Sequence, residues 1–244
     1  MKKHCGRTYR KRRNKKIKPS AVSNVPSEAN QNLSLLLKWM GMKGFKAAKK
    51  LHPAIFIDTG RGLMTKDSIN SGDLIVAIPQ NLLITPHKVL KSHLGNFFKR
   101  YCPQASGHQI LSVFLICEKF KGVSSDWCHY IETLPKTYSI PAYLNQHSLS
   151  VIPEFLIGQA LDQVMLCKNS YEQLKLLLQN LEASCHLFKG ALDFDVYKWA
   201  WCSVNTRCIF IDCDKNHCIG KLCTYHLALA PFLDLLNHSA HVQV

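Results

Sequence analysis

The chain has 244 residues, of which 47% are apolar and 19% charged, and 31 lysines and arginines against 16 acids give it a formal charge of +15. This composition excludes disordered, collagen-like, coiled-coil and mucin-like proteins, and the length fits one large domain or two small ones. No apolar run approaches the roughly 18 residues that a membrane span requires, so we expect no membrane partner.

The positive charge is concentrated in the first part of the chain. Ten of the basic residues lie in the first 18 positions and no acid precedes Glu28, which leaves about +5 for the remainder. The cluster at residues 10–13 is typical of a nuclear address or a polyanion-binding arm, although an acid-free start also fits a mitochondrial presequence. A solvated tail without a partner is the simpler alternative. We predict a disordered basic tail and linker over residues 1–30, with nucleic-acid contact as one option for the tail.

The first ordered element is predicted to be an amphipathic helix, with Asn32 placed to cap it and Gly44 near its end. Four apolar residues recur there at helical spacing: Leu33, Leu36, Leu37 and Met40. Residues 54–79 then alternate short apolar runs with glycines and a proline, which predicts short strands joined by tight turns. The runs lie at residues 54–57, 63–64 and 74–78.

Helical patterns dominate the middle of the chain. Ser106 and Gln109 form a possible capping box ahead of a segment, residues 110–121, that is apolar nearly all round and should be a buried helix. Ser170 and Gln173 repeat the capping pattern ahead of a leucine-rich helical face. That face consists of Leu174, Leu177, Leu178 and Leu181.

A third helix is predicted to start at Asp193 or Asp195 and to run through Val204. Beyond it, residues 208–211 and 228–236 are typical of a strand and a further buried segment. The order of strands, about a hundred helical residues and strands again predicts an α+β fold, a small β unit split by a helical insertion. We divide the chain into a tail, an N-terminal part at 31–95, an insertion at 96–206 and the start of a C-terminal part at 207–244.

Three segments exceed background as candidate sites. Gly60 and Gly62 stand one residue apart between apolar runs, which suits backbone approach to a ligand or an ordinary hairpin turn. Asp234 begins a block, continuing to Ser239, in which two leucines precede side-chain donors and acceptors; a turn after a buried strand explains it equally well. Arg207 ends an aromatic helix, either to complement the helix dipole or to bind a ligand carboxylate.

The cysteines form the fourth pattern. Eleven cysteines without a secretory signal indicate a reducing compartment, where most would be buried small hydrophobes. Four of them recur every five residues, with His217 and His226 nearby: Cys208, Cys213, Cys218 and Cys223. Zinc sites usually place paired ligands two to four residues apart, so the spacing favours free thiols over zinc, and we predict no metal site.

Taken together, these segments resemble the SET-domain lysine methyltransferases, in the branch with a long helical insertion that includes the Rubisco large-subunit methyltransferase. The resemblance covers about residues 33–244. It is carried by Gly60-Arg61-Gly62-Leu63, Trp127-x-x-Tyr130-Ile131-x-x-Leu134-Pro135, Trp199-Ala200-x-x-x-Val204-x-Thr206-Arg207 and Asp234-Leu235-Leu236-Asn237-His238-Ser239.

The resemblance implies S-adenosyl-L-methionine as cofactor, with no metal. By the resemblance, backbone of residues 59–62 runs along the cofactor, Arg207 binds its methionine carboxylate, and Asn237 and His238 hold the methionine moiety and the adenine edge, while Asp234 supports that segment. The expected cofactor-binding residues are Thr59, Gly60, Arg61, Gly62, Arg207, Asp234, Leu235, Leu236, Asn237 and His238.

The resemblance also implies a protein substrate, a lysine side chain of a histone tail or of a non-histone protein, in the nucleus and cytosol. The family closes its site with a tyrosine downstream of the Asn-His-Ser strand. Only five residues follow Ser239, so we expect that tyrosine beyond Val244, with the C-terminal part of the fold missing here. On this view the 244 residues bind cofactor weakly or not at all and have no turnover. The alternative is an inactive product that acts as a binding protein through its helical insertion.

Overall fold

The structure, a computed structural model, describes residues 22–23, 27–46, 51–56, 60–211 and 226–237, with side chains from residue 31 onward. The helices are α1 Ser27–Met42, α2 Pro86–Lys91, α3 Leu94–Tyr101, α4 Gly107–Lys121, α5 Cys128–Ile131, α6 Gln146–Ser150, α7 Glu154–Ser184 and α8 Phe194–Arg207. The strands are β1 Val22–Ser23, β2 His52–Phe56, β3 Gly60–Met64, β4 Cys208–Phe210 and β5 Leu227–Leu229.

The strands form two small antiparallel sheets from opposite ends of the sequence. In the first, β2 lies between β1 and β3, and the β2–β3 register runs from His52 opposite Met64 to Phe56 opposite Gly60. In the second, β4 pairs with β5. Ile84 exchanges two 2.9 Å backbone hydrogen bonds with Leu229, which joins the segment after β3 to the second sheet. The predicted α+β fold, with a β unit split by helices, is confirmed.

The helical insertion provides most of the core, in which α4 and α8 pack on each other. The predicted capping box of α4 is confirmed: the amide of Gln109 donates to Ser106 Oγ at 3.2 Å, and the amide of Ser106 donates to Gln109 Oε1 at 2.8 Å. The cap of α8 is Asp193, whose Oδ1 accepts from the amide of Val196 at 2.9 Å. Each cap satisfies a helix donor that would otherwise lack a partner.

Two predicted helix starts are wrong. Helix α1 begins at Ser27, so Asn32 lies inside it and instead donates from Nδ2 to the carbonyl of Glu132 at 3.4 Å. Helix α7 runs without a break for 31 residues, so Ser170 is also interior, and its hydroxyl shares a 2.6 Å hydrogen bond with that of Tyr197. A Ser-x-x-Gln pattern marks a helix start only where the chain upstream is not already helical.

The strand predicted at residues 74–78 is also wrong. This segment pairs with none of the described strands, and Leu74 is 61% exposed while Val76 and Ile78 pack against the core. Helices α2 and α3, which the sequence patterns did not indicate, follow it, and the division predicted at residues 95–96 falls inside α3. Among the described helices, none combines the length and hydropathy needed to cross a bilayer.

Candidate functional site

The first element of the site is the close approach of β3 to the 3₁₀ turn Leu233–Leu235. A Cβ atom built on Gly62 would lie 2.5 Å from Nδ2 of Asn237 and 2.8 Å from its Cγ, far inside van der Waals contact. Gly60 serves a different purpose, since its φ of 70° lies in the left-handed region that favours glycine. The two glycines of the Gly-Arg-Gly segment therefore meet two separate requirements, backbone conformation and space.

A strained turn leads into the segment that faces Gly62. Phe232 has a φ of 71°, and it is the only non-glycine residue with positive φ in the part of the chain that the structure describes. Its buried ring lies 5.4 Å from that of Phe45, centroid to centroid. A bulky residue in the left-handed region costs on the order of 1–3 kcal/mol, and such strain clusters at functional sites. Burial of the Phe232 ring holds the turn that presents Asp234.

A charged cluster lies behind this contact. Arg207, at the end of α8, donates from Nη1 to the carbonyl oxygen of Asp234 at 2.9 Å, and the same Nη1 lies 3.5 Å from Asp234 Oδ2. The Asp234 carboxylate is 2% exposed and also accepts a 3.1 Å hydrogen bond from the hydroxyl of Tyr130. Arg61, on β3, donates from Nη2 to the carbonyl of Thr133. Two guanidinium groups thus face one carboxylate.

Burial and charge set the protonation of this cluster. Burial raises the pKa of Asp234, which Arg207, the Tyr130 hydrogen bond and Arg61 oppose. Burial lowers the pKa of Arg61, and the neighbouring Arg207 lowers it further. Burial and then the charge of Asp234 raise the pKa of Tyr130 well above its usual range, so its hydroxyl remains a proton donor. With both arginines charged against a single carboxylate, the cluster has a surplus positive charge and suits an anionic ligand group.

A pocket opens beside the cluster. Its walls combine apolar side chains with the polar groups of β3 and of the insertion, and the lining residues are Leu33, Pro53, Arg61, Gly62, Thr133 and Leu235. The pocket has about 260 Å³ of space, part of it open to solvent, which is less than the roughly 300–1,000 Å³ of most small-molecule sites, but it shares their combination of apolar walls and a few fixed polar groups.

Known proteins share the sequence and the fold of this chain. No protein-family profile matches the chain. The chain is 35% identical to SET domain-containing protein 4 of Homo sapiens over 251 residues, which cover the whole chain and 55% of that protein. Its fold matches the crystal structure of the SET domain of LSMT bound to MeLysine and AdoHcy, with a TM-score of 0.69 and 25% identity over 91% of this chain and 46% of that one. The chain is a SET-domain protein.

A second relative of this SET-domain chain is the actin-histidine N-methyltransferase of Danio rerio, which is 33% identical over 190 residues, 75% of this chain and 30% of that protein. The SET-domain chain spans about half the length of the curated relatives that it matches.

The structure brings together most of the predicted site residues of the SET-domain chain. Arg61 and Gly62 lie on β3 with Gly60 at its start, Leu235 lines the pocket, and Asn237 contacts Gly62. The side chain of Leu236 is 41% exposed. Arg207 and Asp234 contact each other directly. Thr59 and His238 lie outside the described residues.

Two residues that contact this cluster had no predicted role. Tyr130 and Thr133 belong to the insertion, and they bond Asp234 and Arg61 respectively. The signal for Tyr130 was its place in the Trp127-x-x-Tyr130 segment of the family pattern. Thr133 acts through its backbone carbonyl, which any residue could supply, so no side-chain pattern would have found it.

The zinc alternative concerns residues that lie mostly outside the described ranges. Cys213, Cys218, Cys223 and His217 lie outside the described residues, and Cys208 is a half-buried free thiol whose pKa is raised by burial. Within the described ranges, no three histidine, cysteine or acidic side chains are grouped as a metal would require.

Proposed function

We propose that this chain is the cofactor-binding part of an S-adenosyl-L-methionine-dependent protein-lysine N-methyltransferase. The observation that carries the proposal is the surplus guanidinium charge beside a pocket with apolar walls. The cofactor has a carboxylate at one end and an adenosyl group at the other, so it needs both features. The close contact of Gly62 with Asn237, which a Cβ atom would prevent, brings two of the expected cofactor-binding residues together and supports the same assignment.

In this proposal each residue acts on one part of the cofactor. Arg207 binds the carboxylate, the backbone of Gly60 to Gly62 follows the cofactor, and Asn237 with His238 holds the methionine moiety and the adenine edge. The cofactor supplies a methyl group on a sulfonium. The chain contributes alignment and exclusion of water from the acceptor amine, which are the main demands of an in-line transfer.

The proposed acceptor is a lysine side chain of a histone tail or of another protein. MeLysine in the matched LSMT structure favours lysine, although the actin-histidine relative shows that a related chain can serve histidine. Transfer from tritiated cofactor to bulk histones and to a cytosolic extract would separate the two: transfer to lysine disappears when the substrate lysines are first acetylated, whereas transfer to histidine survives.

Removal of the cofactor's carboxylate tests the proposed binding mode. We expect S-adenosylmethionine to bind more tightly than its decarboxylated analogue by about 10- to 100-fold, the effect of one charge-assisted hydrogen-bonding pair. Arg207→Met should remove this difference, whereas Arg100→Met, an exposed arginine on α3, should leave it intact. Ligand-observed NMR titration measures dissociation constants into the millimolar range, so weak binding is still quantified. Equal affinity for the two ligands in the unaltered protein would contradict the proposal.

A second candidate function is protein binding without catalysis. Helix α7 leaves large apolar side chains in solvent, with Phe155 81%, Leu166 62% and Met165 58% exposed, and exposed apolar surface of this kind is typical of interaction sites. If the chain acts only in this way, Phe155→Ser with Met165→Ser abolishes partner capture, whereas Arg207→Met has no effect on it. If capture follows Arg207 instead, this second function fails.

For location, we propose the nucleus and the cytosol, with the basic tail as the nuclear address. Deletion of residues 1–18 should shift the protein out of the nucleus by cell fractionation. If the tail also contacts nucleic acid, binding to DNA weakens steeply with salt and is lost with the same deletion.

A further inference from the structure

The insertion reaches the site through one buried hydroxyl. Tyr130, on the short helix α5, is fully buried, and its Oη donates to Asp234 Oδ2 at 3.1 Å across 104 positions of sequence. That same Oδ2 lies 3.5 Å from Nη1 of Arg207. Three side chains from three separate elements therefore meet at one carboxylate oxygen.

We propose that Tyr130 is a positioning residue of this site: it fixes the Asp234 carboxylate and, through it, the guanidinium of Arg207. A buried carboxylate is costly unless donors satisfy its oxygens. Arg207 Nη1 donates to the carbonyl of Asp234 and forms an ion pair with its carboxylate, so the orientation of Arg207 follows that of Asp234. Tyr130 in turn sets that orientation. For its ligand, this inference rests on the proposed function.

The same turn of the insertion also holds the other arginine. The hydroxyl of Thr133 donates to the carbonyl of Tyr130 at 2.6 Å, and the carbonyl of Thr133 accepts from Arg61 on β3. Residues 130–133 thus contact both halves of the split β unit. The Tyr130 side chain stands on a turn that is itself anchored, which is what a positioning residue needs.

The pKa of Asp234 is a quantity that Tyr130 would not change if its role were purely structural. Arg207 of α8, Arg61 of β3, Tyr130 of α5 and the phenol of Tyr138 interact electrostatically with its carboxylate. The Tyr130 hydrogen bond lowers the pKa of Asp234 against the effect of burial. Removal of this hydroxyl should therefore raise that pKa further.

The raised pKa of Asp234 makes the stability of the fold depend on pH. A carboxyl whose pKa is higher in the folded than in the unfolded state binds more protons when folded, so its contribution to stability falls as pH rises through the folded-state pKa. Tyr130→Phe should cost more stability at neutral pH than at acid pH. Tyr197→Phe is the matched control: this tyrosine is equally buried and its hydroxyl bonds Ser170 at 2.6 Å, with no carboxylate involved.

The experiment is denaturant unfolding of the three proteins from pH 4 to 8. We expect the folding equilibrium constant of Tyr130→Phe, relative to the unaltered protein, to fall by about a further tenfold between acid and neutral pH, because one pKa unit corresponds to a tenfold change. The ratio for Tyr197→Phe should stay constant. A constant ratio for Tyr130→Phe as well would overturn the proposal.

Cofactor titration separates the two proposals. If the unaltered protein binds S-adenosylmethionine, Tyr130→Phe should weaken binding about tenfold and Tyr197→Phe should not. Binding without that loss overturns the role of Tyr130 and leaves the proposed function standing. If the unaltered protein does not bind the cofactor but Tyr130→Phe shows the pH-dependent loss of stability, the proposed function is overturned and the role of Tyr130 stands.

If Tyr130→Phe does not fold, 3-fluorotyrosine at this position replaces it as the test. This residue is a stronger donor of the same shape, so it should reduce the pH dependence of unfolding, and an unchanged profile would refute the proposal.

Discussion

A single added methyl group at Gly62 tests the contact between β3 and the Asp234 segment. In Gly62→Ala the new Cβ would stand 2.5 Å from Asn237 Nδ2, whereas ordinary contacts lie at 3.4–4 Å, so the Asn237 side chain must rotate away. Overpacking of this kind costs about 1–3 kcal/mol. An Asn237→Ala background lacks the three atoms nearest to this Cβ, and Ala at 62 should there stabilise by about 0.5–1 kcal/mol, since glycine loses more backbone entropy on folding.

The measurement is a double-mutant cycle by urea unfolding. The two substitutions should show a coupling energy on the order of 2 kcal/mol, which exceeds the scatter expected for independent sites. Gly158→Ala serves as the control, because its added Cβ meets nothing within 4 Å in either background. If the costs of Gly62→Ala and Asn237→Ala simply add, Gly62 is not there to admit Asn237, and the steric argument for the Gly-Arg-Gly segment is refuted. Cofactor affinity should follow the same pattern, with the double variant no weaker than Asn237→Ala.

Other predictions concern the helices. The ring nitrogens of His108 are buried with no hydrogen-bond partner among the described residues, and burial lowers its pKa from 6.5 to about 4. Stability on the order of 3 kcal/mol should therefore be present above pH 6.5 and be lost as pH falls towards 4, and His108→Phe should flatten that part of the profile in denaturant unfolding. Asp193→Ala should cost about 1 kcal/mol through loss of the α8 cap, whereas exposed Asp195→Ala should cost much less; equal urea midpoints would refute the cap. Gly158→Ala, at the fifth residue of α7, should raise the thermal midpoint, because alanine is favoured over glycine by up to about 1 kcal/mol in helices.

The parts of the fold that sequence could predict are those with local causes. The capping box of α4 and the Asp193 cap of α8 each involve side chains within three residues of the amide they satisfy, so their pattern is complete in the sequence. The start of α7 was missed because its first half exposes Phe155 and Leu166 and so lacks a single apolar face. Periodicity reports burial, and a helix with apolar residues on its solvent side does not show it.

The candidate site also combines residues that a local pattern can predict with contacts that it cannot. Gly62 and Arg207 stood out by residue type and neighbourhood, and the family pattern joined them to Asp234. Their pairing could not be predicted from the residues alone, because the contacts to Tyr130 and Thr133 span 104 and 72 positions and depend on how the insertion packs. The strand expected at residues 74–78 failed for a related reason: an extended apolar run becomes a strand only if a neighbouring strand offers its backbone.

The placement of the site on both sides of the insertion also determines when it can assemble. During synthesis Arg61 emerges long before Asp234. The carboxylate that neutralises part of the arginine charge is therefore the last group of the cluster to be made. Closing so long a loop from an unfolded chain is costly in entropy, but helices α4, α7 and α8 can fold in the interval and bring its ends together in advance. Helix α8 leads directly into β4, so its docking on α4 places Arg207 and the first strand of the second sheet together. Folding of the insertion thus brings the two parts of the site together. Slow docking of α8 should therefore delay the ability to bind cofactor even when the final fold is unchanged.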